Sequence, residues 1–357
     1  MDGASAAQVT KFSGVSAAIA LLVFAVVASL SIGPVAIGPT RLGEVFNAIV
    51  ANGGRAGLPA EFVRDATILA DIRAPRTVLG ALVGAAMALA GAVMQGMFRN
   101  PLADPGLIGV SSGAAFAAVS WIVLGEGVAH LLPQALAELG MPLAAFAGGL
   151  ATTLLLARIA SRDGRTEIAV MLLAGVALGA LSAAGTGLLV FTARDDQLRA
   201  FLFWTLGSLG GATWFKIALA LPFMLALGLA APFLARGLDA VALGERAAFH
   251  VGIDVERLKR VAVVGVAAAV AAAVASAGTI GFVGLAAPHL VRLAIGPGHR
   301  ALLPASAVLG AALLLLSDVA ARTLATPAEL PIGVVTAAFG APFFLWLLMR
   351  RRGRMVG

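Results

Sequence analysis

The chain has 357 residues, of which 60% are hydrophobic and 12% are charged. Since a soluble globular domain carries about 25% charged residues, this composition excludes an ordinary soluble domain and indicates a membrane protein. There is no cysteine, which excludes disulfides and thiolate metal sites. The net charge of +7 does not by itself indicate nucleic acid, because the cytoplasmic loops of membrane proteins collect lysine and arginine.

Ten apolar segments reach or approach the length of about 20 residues that a membrane-spanning helix needs. They are 15–33, 74–98, 107–125, 141–160, 168–192, 212–235, 258–277, 280–295, 301–321 and 332–349. The first could be a signal peptide, but only Lys11 precedes it and its apolar core is long, so we interpret it as a retained span. The eighth is short, and Gly281, Gly284 and Pro288 predict an irregular start. The sequence predicts an all-α polytopic membrane protein with about ten transmembrane helices per subunit, in a single domain over 1–357.

The basic residues predict the orientation. If the amino terminus lies in the cytoplasm, ten spans return the carboxyl terminus to the same side. The cytoplasmic segments then hold most of the 25 lysines and arginines, as the positive-inside rule requires. Both termini are therefore predicted to be cytoplasmic.

Two connections are long enough to carry structure of their own. Residues 34–73 form an outer, periplasmic connection in which "RLGEVFNAIV" has helical character. Residues 236–260 form the longest inner connection, with helical spacing, mixed charge and an apolar stripe. This pattern predicts a helix that docks on a partner, and the alternative is a helix that lies on the lipid surface. The stripe consists of Leu238, Val241, Ala242 and Ala248.

The chain lacks the short motifs of common catalytic sites. There is no GxxxxGK[ST] phosphate loop, HExxH, CxxC or GxSxG, so ATP is not bound through a phosphate loop. Asp318 and His289 are ionisable groups inside predicted spans, which makes them functional candidates. Alternatively, Asp318 pairs with Arg322 one helical turn away, and His289 is satisfied by a backbone carbonyl.

A methionine stripe occupies the second span. Met87, Met94 and Met97 fall on or near one face, with Gly84 before Met87 and Gly91 between Met87 and Met94. The stripe could line a path for a large apolar ligand, or it could simply fill the core, because methionine adapts to irregular spaces.

The break after this span is unusually polar. In "FRNPLADPGLIGVSSG" (98–113), two prolines interrupt the helix, since proline removes a backbone donor and disfavours helix in the residue before it. The surrounding "IRAPRTVLGALVGAAMALAGAVMQGMFRNPLADPGLIGVSSGA" (72–114) closely resembles the signature region of the FecCD family. "GTIGFVGLAAPHLVRL" (278–293) and "LLLLSDVAARTLATPAELPIGVVTAAFGAPFFLWLL" (313–348) resemble the same family.

The resemblance implies a permease subunit of a type II ABC importer for haem, ferric siderophores or cobalamin. Such permeases have ten spans per subunit and lie in the bacterial inner membrane. They work as homodimers with two cytoplasmic ATPase subunits and one periplasmic substrate-binding protein. The chain itself is then not an enzyme and has no permanent cofactor, metal or nucleic-acid partner, and ATP binds to the partner subunit.

The resemblance also implies roles for individual residues. Asn100 and Leu102 occupy the positions of the cytoplasmic gate, in a loop whose shape the prolines restrict. Arg73, Arg76 and Arg322 match arginines at the periplasmic mouth that receive acidic residues of the binding protein, a role that suits the planar guanidinium group.

The segment "LGERAAFHVG" (243–252) resembles the coupling helices that enter a cleft of the ATPase. The implied coupling residues are Leu243, Gly244, Glu245, Ala248 and Gly252.

The transported substrate is predicted from the outer segment 194–214, which resembles haem permeases more than cobalamin permeases. Arg194 or Arg199 could meet the haem propionates at the entrance, and Met87 and Met94 could line the path. A ferric siderophore, often anionic, is the alternative cargo, and cobalamin is less favoured. Two other classes stay open from the residues alone. An ion-coupled transporter would rely on Asp318, and an intramembrane enzyme would need partners for its polar groups.

Overall fold

The computed structural model describes residues 2–162 and 164–352, and it is helical apart from one short hairpin. The helices are α1 (Asp2–Ser31), α2 (Pro39–Ala51), α3 (Ala60–Thr67), α4 (Ala74–Met97), α5 (Val110–Leu124), α6 (Glu126–Ala129), α7 (Gln134–Ala160), α8 (Ile168–Thr192), α9 (Asp195–Leu206), α10 (Trp214–Ala242), α11 (Glu245–His250), α12 (Val255–Ala277), α13 (Val283–Ile295), α14 (His299–Thr323) and α15 (Ile332–Arg352). The hairpin pairs β1 (Ser161–Arg162) with β2 (Arg165–Thr166) in antiparallel register. A π-helical turn (Ile68–Arg73) leads into α4, and a 3-10 turn (Pro105–Ile108) precedes α5.

The described residues contain seven helices that are long and apolar enough to cross a membrane and three shorter apolar helices. The long ones are α1, α4 with its preceding turns, α7, α8, α10, α12 and α14, and the shorter ones are α5, α13 and α15. They coincide with the ten predicted segments, so the prediction of an all-α polytopic membrane protein is confirmed. Residues 353–357, part of the predicted cytoplasmic carboxyl terminus, lie outside the described residues.

Contacts between connections agree with alternate crossing of the membrane. On the predicted outer side, the indole Nε1 of Trp214 donates to the carbonyl oxygen of Ala70 at 3.1 Å. On the predicted inner side, the Nζ of Lys259 donates to the carbonyl oxygen of Thr166 at 2.9 Å. Each bond joins two connections that the ten-span arrangement places on one side.

Helix α4 lies at the centre of the bundle, and glycines allow its neighbours to approach. A Cβ atom at Gly84 would lie 2.4 Å from the carbonyl oxygen of Gly310 in α14. One at Gly91 would lie 1.7 Å from the carbonyl oxygen of Gly284 in α13. Small residues are needed here because packing, rather than the hydrophobic effect, holds helices together in lipid.

Two boundaries differ from the sequence prediction. The inner connection 236–260 is mostly the ends of α10 and α12, which leaves 243–254 with the short helix α11 between them. On the outer side, α9 forms within 194–214, a segment for which no helix was predicted. The predicted irregular start of the eighth span is present, since α13 begins only at Val283, after Phe282 at a φ of 68°.

Candidate functional site

The inner loop between α4 and α5 is shaped by its own side chains. Arg99 adopts a left-handed conformation (φ 48°), and the backbone N–H of Asn100 donates to the carbonyl oxygen of Gln95 at 3.1 Å. This 6→1 bond closes the end of α4 in the way a glycine cap usually does. The loop therefore leaves the helix in a defined direction.

Two turns then place the predicted gate residues. The Oδ1 atom of Asn100 accepts a hydrogen bond from the N–H of Leu102 at 2.9 Å, and Asp104 Oδ1 accepts from Gly106 at 2.7 Å. Burial raises the pKa of the Asp104 carboxyl group, while the Gly106 donor acts in the opposite direction. Asn100 thus shapes the loop, whereas the side chain of Leu102 is 41% exposed and available for contact. The gate assignment stays a prediction.

On the outer side, Arg76 is held between two acidic residues. Its Nε and Nη2 atoms donate to Asp318 Oδ1 at 3.1 and 2.9 Å. Its Nη1 and Nη2 atoms donate to the two carboxylate oxygens of Glu329 at 3.0 and 2.9 Å. The side chain of Asp318 is 1% exposed and that of Glu329 is 40% exposed. Arg76 therefore ties α4 to α14 and to the last outer connection.

The other two predicted docking arginines are also turned inward. Arg73 donates to the carbonyl oxygens of Leu30 and Ser31 at 2.6 and 2.9 Å. Arg322 pairs with Asp318 at 3.1 Å, which is the local pair expected as the alternative for that carboxylate. Arg322 thus has a carboxylate partner and Arg73 is bound by backbone carbonyl oxygens, because an unsatisfied charge is expensive in a membrane protein interior.

The three predicted docking arginines, Arg73, Arg76 and Arg322, are buried in the single subunit. All three are less than 9% exposed. Among their internal partners in the described residues, the side chain of Glu329 is 40% exposed, and Val35, whose carbonyl oxygen accepts from Arg73, is also exposed. Docking through these arginines stays a prediction, and it requires displacement of an internal partner.

The methionines of α4 belong to the core of the subunit. Met94 is fully buried, Met87 is 5% exposed, and both lie in the main hydrophobic cluster with Met97. A side chain that is enclosed by its own subunit cannot line a path for cargo without repacking. Core filling accounts for Met87 and Met94 in this structure, and their role in a cargo path stays a prediction.

The outer arginines before and in α9 are exposed. Arg194 pairs with Asp196 at 3.2 Å, and this hydrogen bond holds the pKa of Asp196 below its usual range. Arg199 uses its Nε to contact the carbonyl oxygen of Asp195 at 3.3 Å, and its side chain is solvent-accessible. Both remain positioned to meet an anionic group at the outer face.

The inner connection presents an apolar surface that differs from the predicted stripe. Leu238, Val241 and Ala248 are buried against the subunit itself, whereas Ala242 is exposed. Ala248, one of the predicted coupling residues, therefore anchors α11 and is not available to a partner. The exposed apolar side chains around α11 are Leu243 (82%), Phe249 (73%) and Val251 (70%).

Glycines and one lysine set the position of α11. Gly244 and Gly252, at φ values of 113° and 80°, take conformations that side chains rarely adopt, one before α11 and one after it. The carboxylate of Glu245 lies 3.0 Å from the Nζ of the buried Lys259. Leu243 lies at the surface, Gly244 is half-buried, and Glu245 connects α11 to α12.

Sequence reasoning missed Glu329 and Lys259. Glu329 is the single acidic residue of the segment "TPAELP", which was a weak signal, and nothing in the sequence joins Lys259 to Thr166. His289 is buried in α13, with its ring centroid 6.2 Å from that of Phe344. Within residues 2–162 and 164–352, no group of three or more His, Asp or Glu converges in a way that could hold a metal ion.

Comparisons with known proteins agree with this architecture. The model of the FecCD transport family matches residues 21–350. The hemin transport system permease protein HmuU of Yersinia pestis is 43% identical over 287 residues, or 80% of this chain and 84% of that protein. The cobalamin import system permease protein BtuC of Halobacterium salinarum is 45% identical over 287 residues, or 80% of this chain and 74% of that protein.

A solved structure shows the same fold. It is described as an inward-facing conformation of an ABC transporter of metal-chelate type, and it matches with a TM-score of 0.77 and 30% identity over 94% of this chain and 98% of that chain. The family match covers nearly the whole chain and therefore sets aside the ion-coupled transporter and the intramembrane enzyme. The chain belongs to the FecCD transport family and is a multi-pass permease subunit of an ABC importer, in which a separate subunit hydrolyses ATP.

Proposed function

We propose that two copies of this chain form a pore that moves haem from a periplasmic binding protein to the cytoplasm, driven by two ATPase subunits. The exposed apolar group of Leu243, Phe249 and Val251 supports the ATPase contact, because aromatic and aliphatic side chains at a surface commonly anchor protein interfaces. The location of α11 on the predicted cytoplasmic side also supports an ATPase contact at this group.

Haem is the favoured cargo because its two propionates need cationic groups at the entrance. Arg194 and Arg199 are exposed at the outer side and can meet a carboxylate. Cobalamin is the second candidate, since the Halobacterium permease that is named for cobalamin import is 45% identical to this chain. The amide side chains of cobalamin are neutral, so they would interact with these arginines less strongly than the haem propionates would.

The experiment is uptake by vesicles that contain the permease and its ATPase, with a loaded binding protein outside. Hemin, cyanocobalamin and a ferric siderophore are supplied separately and in competition. The proposal is supported if hemin enters in an ATP-dependent way and if cyanocobalamin and the siderophore are weak competitors of that entry. Preferential entry of cobalamin or of the siderophore would replace haem as the cargo, and absence of any ATP-dependent uptake would contradict the importer function.

Phe249→Asp is expected to weaken binding of the ATPase by about thirtyfold or more, because a central aromatic anchor contributes ~2 kcal/mol or more to an interface. The measurement is the affinity of the purified ATPase for the permease in nanodiscs. Phe46→Asp is the matched control, since Phe46 is 66% exposed on the outer connection and should not affect the ATPase. Wild-type affinity of the Phe249 variant would exclude docking at α11.

Leu102→Cys is expected to form a disulfide between the two permease subunits in at least one nucleotide state, because a gate brings equivalent residues of the loop together. The chain is free of cysteine, and a disulfide requires Cα atoms within about 7 Å. Leu102 is a better position than Asn100, whose side chain holds the loop. Leu243→Cys serves as the exposed control that should not cross-link to its copy. No cross-link at residue 102 in any state would place the gate elsewhere.

A further inference from the structure

The buried ammonium group of Lys259 joins two separate segments on the predicted cytoplasmic side, the helix α11 and the β1–β2 hairpin. The side chain of Lys259, in α12, is only 6% exposed. Its Nζ lies 2.9 Å from the carbonyl oxygen of Thr166, 3.0 Å from Glu245 Oε1 and 3.2 Å from Glu256 Oε1. Because an ammonium group has three N–H donors, these three acceptors satisfy it completely.

Lys259 and Glu256 also hold the hairpin of β1 and β2, because they bind both backbone groups of Thr166. The second carboxylate oxygen of Glu256 accepts a hydrogen bond from the backbone N–H of Thr166 at 2.9 Å. Thr166 is therefore held through its N–H by Glu256 and through its carbonyl oxygen by Lys259. Since Lys259 also binds Glu245, the first residue of α11, a displacement of α11 acts on the position of the hairpin.

The helices on both sides of the hairpin contact the predicted gate loop. In α7, the hydroxyl of Thr153 donates to the carbonyl oxygen of Ile108 at 3.1 Å. In α8, Gly175 lies so close that a Cβ atom there would be 2.4 Å from the carbonyl oxygen of Leu107. Both contacts are to the carboxyl-terminal end of the loop 98–109, and Leu102 lies earlier in the same loop. A path thus runs from α11 through Lys259 to the hairpin, and from the hairpin along the adjoining helices α7 and α8 to this loop.

Lys259 and its partners also line a groove whose two walls, α11 and the hairpin, are accessible from outside the subunit. A cavity of about 1030 Å³ opens between α11 and the hairpin, and Lys259 forms part of its lining. Phe249 and Arg246 line it from the α11 side, and Arg165 lines it from the hairpin side. A partner seated on α11 is therefore adjacent to the hairpin as well.

We propose that Lys259 is a positioning residue that transmits movement of the ATPase-docking helix α11 to the β1–β2 hairpin and so to the loop of residues 98–109. This inference rests on the proposed ATPase contact at α11. It assigns Lys259 a role in coupling ATP hydrolysis to opening of the pore and no contact with cargo. The two contacts of Lys259 outside α12 are what carry the signal.

The test compares Lys259→Gln and Glu245→Ala with Arg260→Gln in the full permease–ATPase complex in nanodiscs. Arg260 is exposed on the next position of α12 and serves as the matched control. The readouts are affinity for the ATPase, transport per ATP hydrolysed, and deuterium uptake of peptides 160–167 and 98–109 with and without the ATPase. The measurement at saturating ATPase removes effects that come only from weaker docking.

In the wild type and in the Arg260 variant, binding of the ATPase should change deuterium uptake in both peptides. In the Lys259 and Glu245 variants these changes should be lost, and transport per ATP should fall by about two- to thirtyfold, the size of typical couplings between sites. Glu245→Ala keeps the other two contacts of Lys259, so it answers the question even where Lys259→Gln does not fold.

Wild-type coupling and a wild-type exchange response in a folded Glu245 variant would overturn the role of Lys259. If the ATPase does not bind the wild-type permease, or if Phe249→Asp does not weaken that binding, the docking site on which the inference rests is contradicted instead. The two failures are therefore distinguishable.

Discussion

Arg76→Met is expected to lower the thermal stability and the folded yield of the permease. The substitution leaves Asp318 with only Arg322 as its cationic partner and leaves Glu329 without Arg76. Removal of one partner from a buried ion pair costs about 3–5 kcal/mol where the remaining charge is left uncompensated, and the expected loss lies near the lower end because Arg322 still pairs with Asp318 and Glu329 is partly exposed. The measurement is thermal unfolding of the purified permease in detergent, together with the yield of monodisperse protein.

Arg55→Met is the matched control on the same outer side. Arg55 pairs with Asp71 at 2.7 Å, but both side chains are 48% exposed. Solvent screens such a pair, so its loss should change stability by about 1 kcal/mol or less. A similar small effect of both substitutions would show that the Arg76 cluster does not hold α4 to α14.

The Arg76 experiment also separates two roles. If Arg76 acts only on a binding protein, Arg76→Met should unfold at the wild-type temperature and lose affinity for that partner. If the internal cluster dominates, instability appears in the permease alone, without any partner present. Glu329→Gln tests the exposed partner, since it frees one side of Arg76 and keeps Asp318 in place.

Gly91→Ala is expected to be the most damaging change to helix packing. The added Cβ atom would lie 1.7 Å from the carbonyl oxygen and 2.6 Å from the carbonyl carbon of Gly284. Both atoms belong to backbone, so relief requires α4 and α13 to separate. Overpacking typically costs about 1–3 kcal/mol, and a clash between two backbones belongs at or above the upper end. Thermal unfolding and folded yield again provide the measurement.

Gly228→Ala in α10 is the control for loss of a helical glycine. Nothing lies within 4 Å of a Cβ atom at this position. Alanine is favoured over glycine in a helix by up to about 1 kcal/mol, so this variant should be unchanged or slightly more stable. Equal behaviour of the two alanine variants would contradict the close contact of α4 with α13.

Much of the architecture follows from local sequence patterns. Apolar stretches of the right length predict helices, because backbone groups in lipid must bond within their own segment. The break at 98–113 follows from its prolines, and the pair of Asp318 with Arg322 follows from a spacing of one helical turn. The sequence did not predict that three of the four residues of the 236–260 stripe pack against the subunit itself, because helical periodicity shows that a face is apolar but not which surface covers it.

By itself, the sequence determined the ten spans, their predicted orientation and the resemblance to the FecCD family, since each depends on composition or on contiguous motifs. Only the tertiary structure decided which charges meet. Arg76 and Asp318 are 242 positions apart, and Lys259 and Thr166 are 93 apart, so no local pattern pairs them. A buried charge must find a partner, but which one it finds depends on how the helices pack around α4. Packing likewise enclosed Met87 and Met94 and left Leu243 and Phe249 exposed.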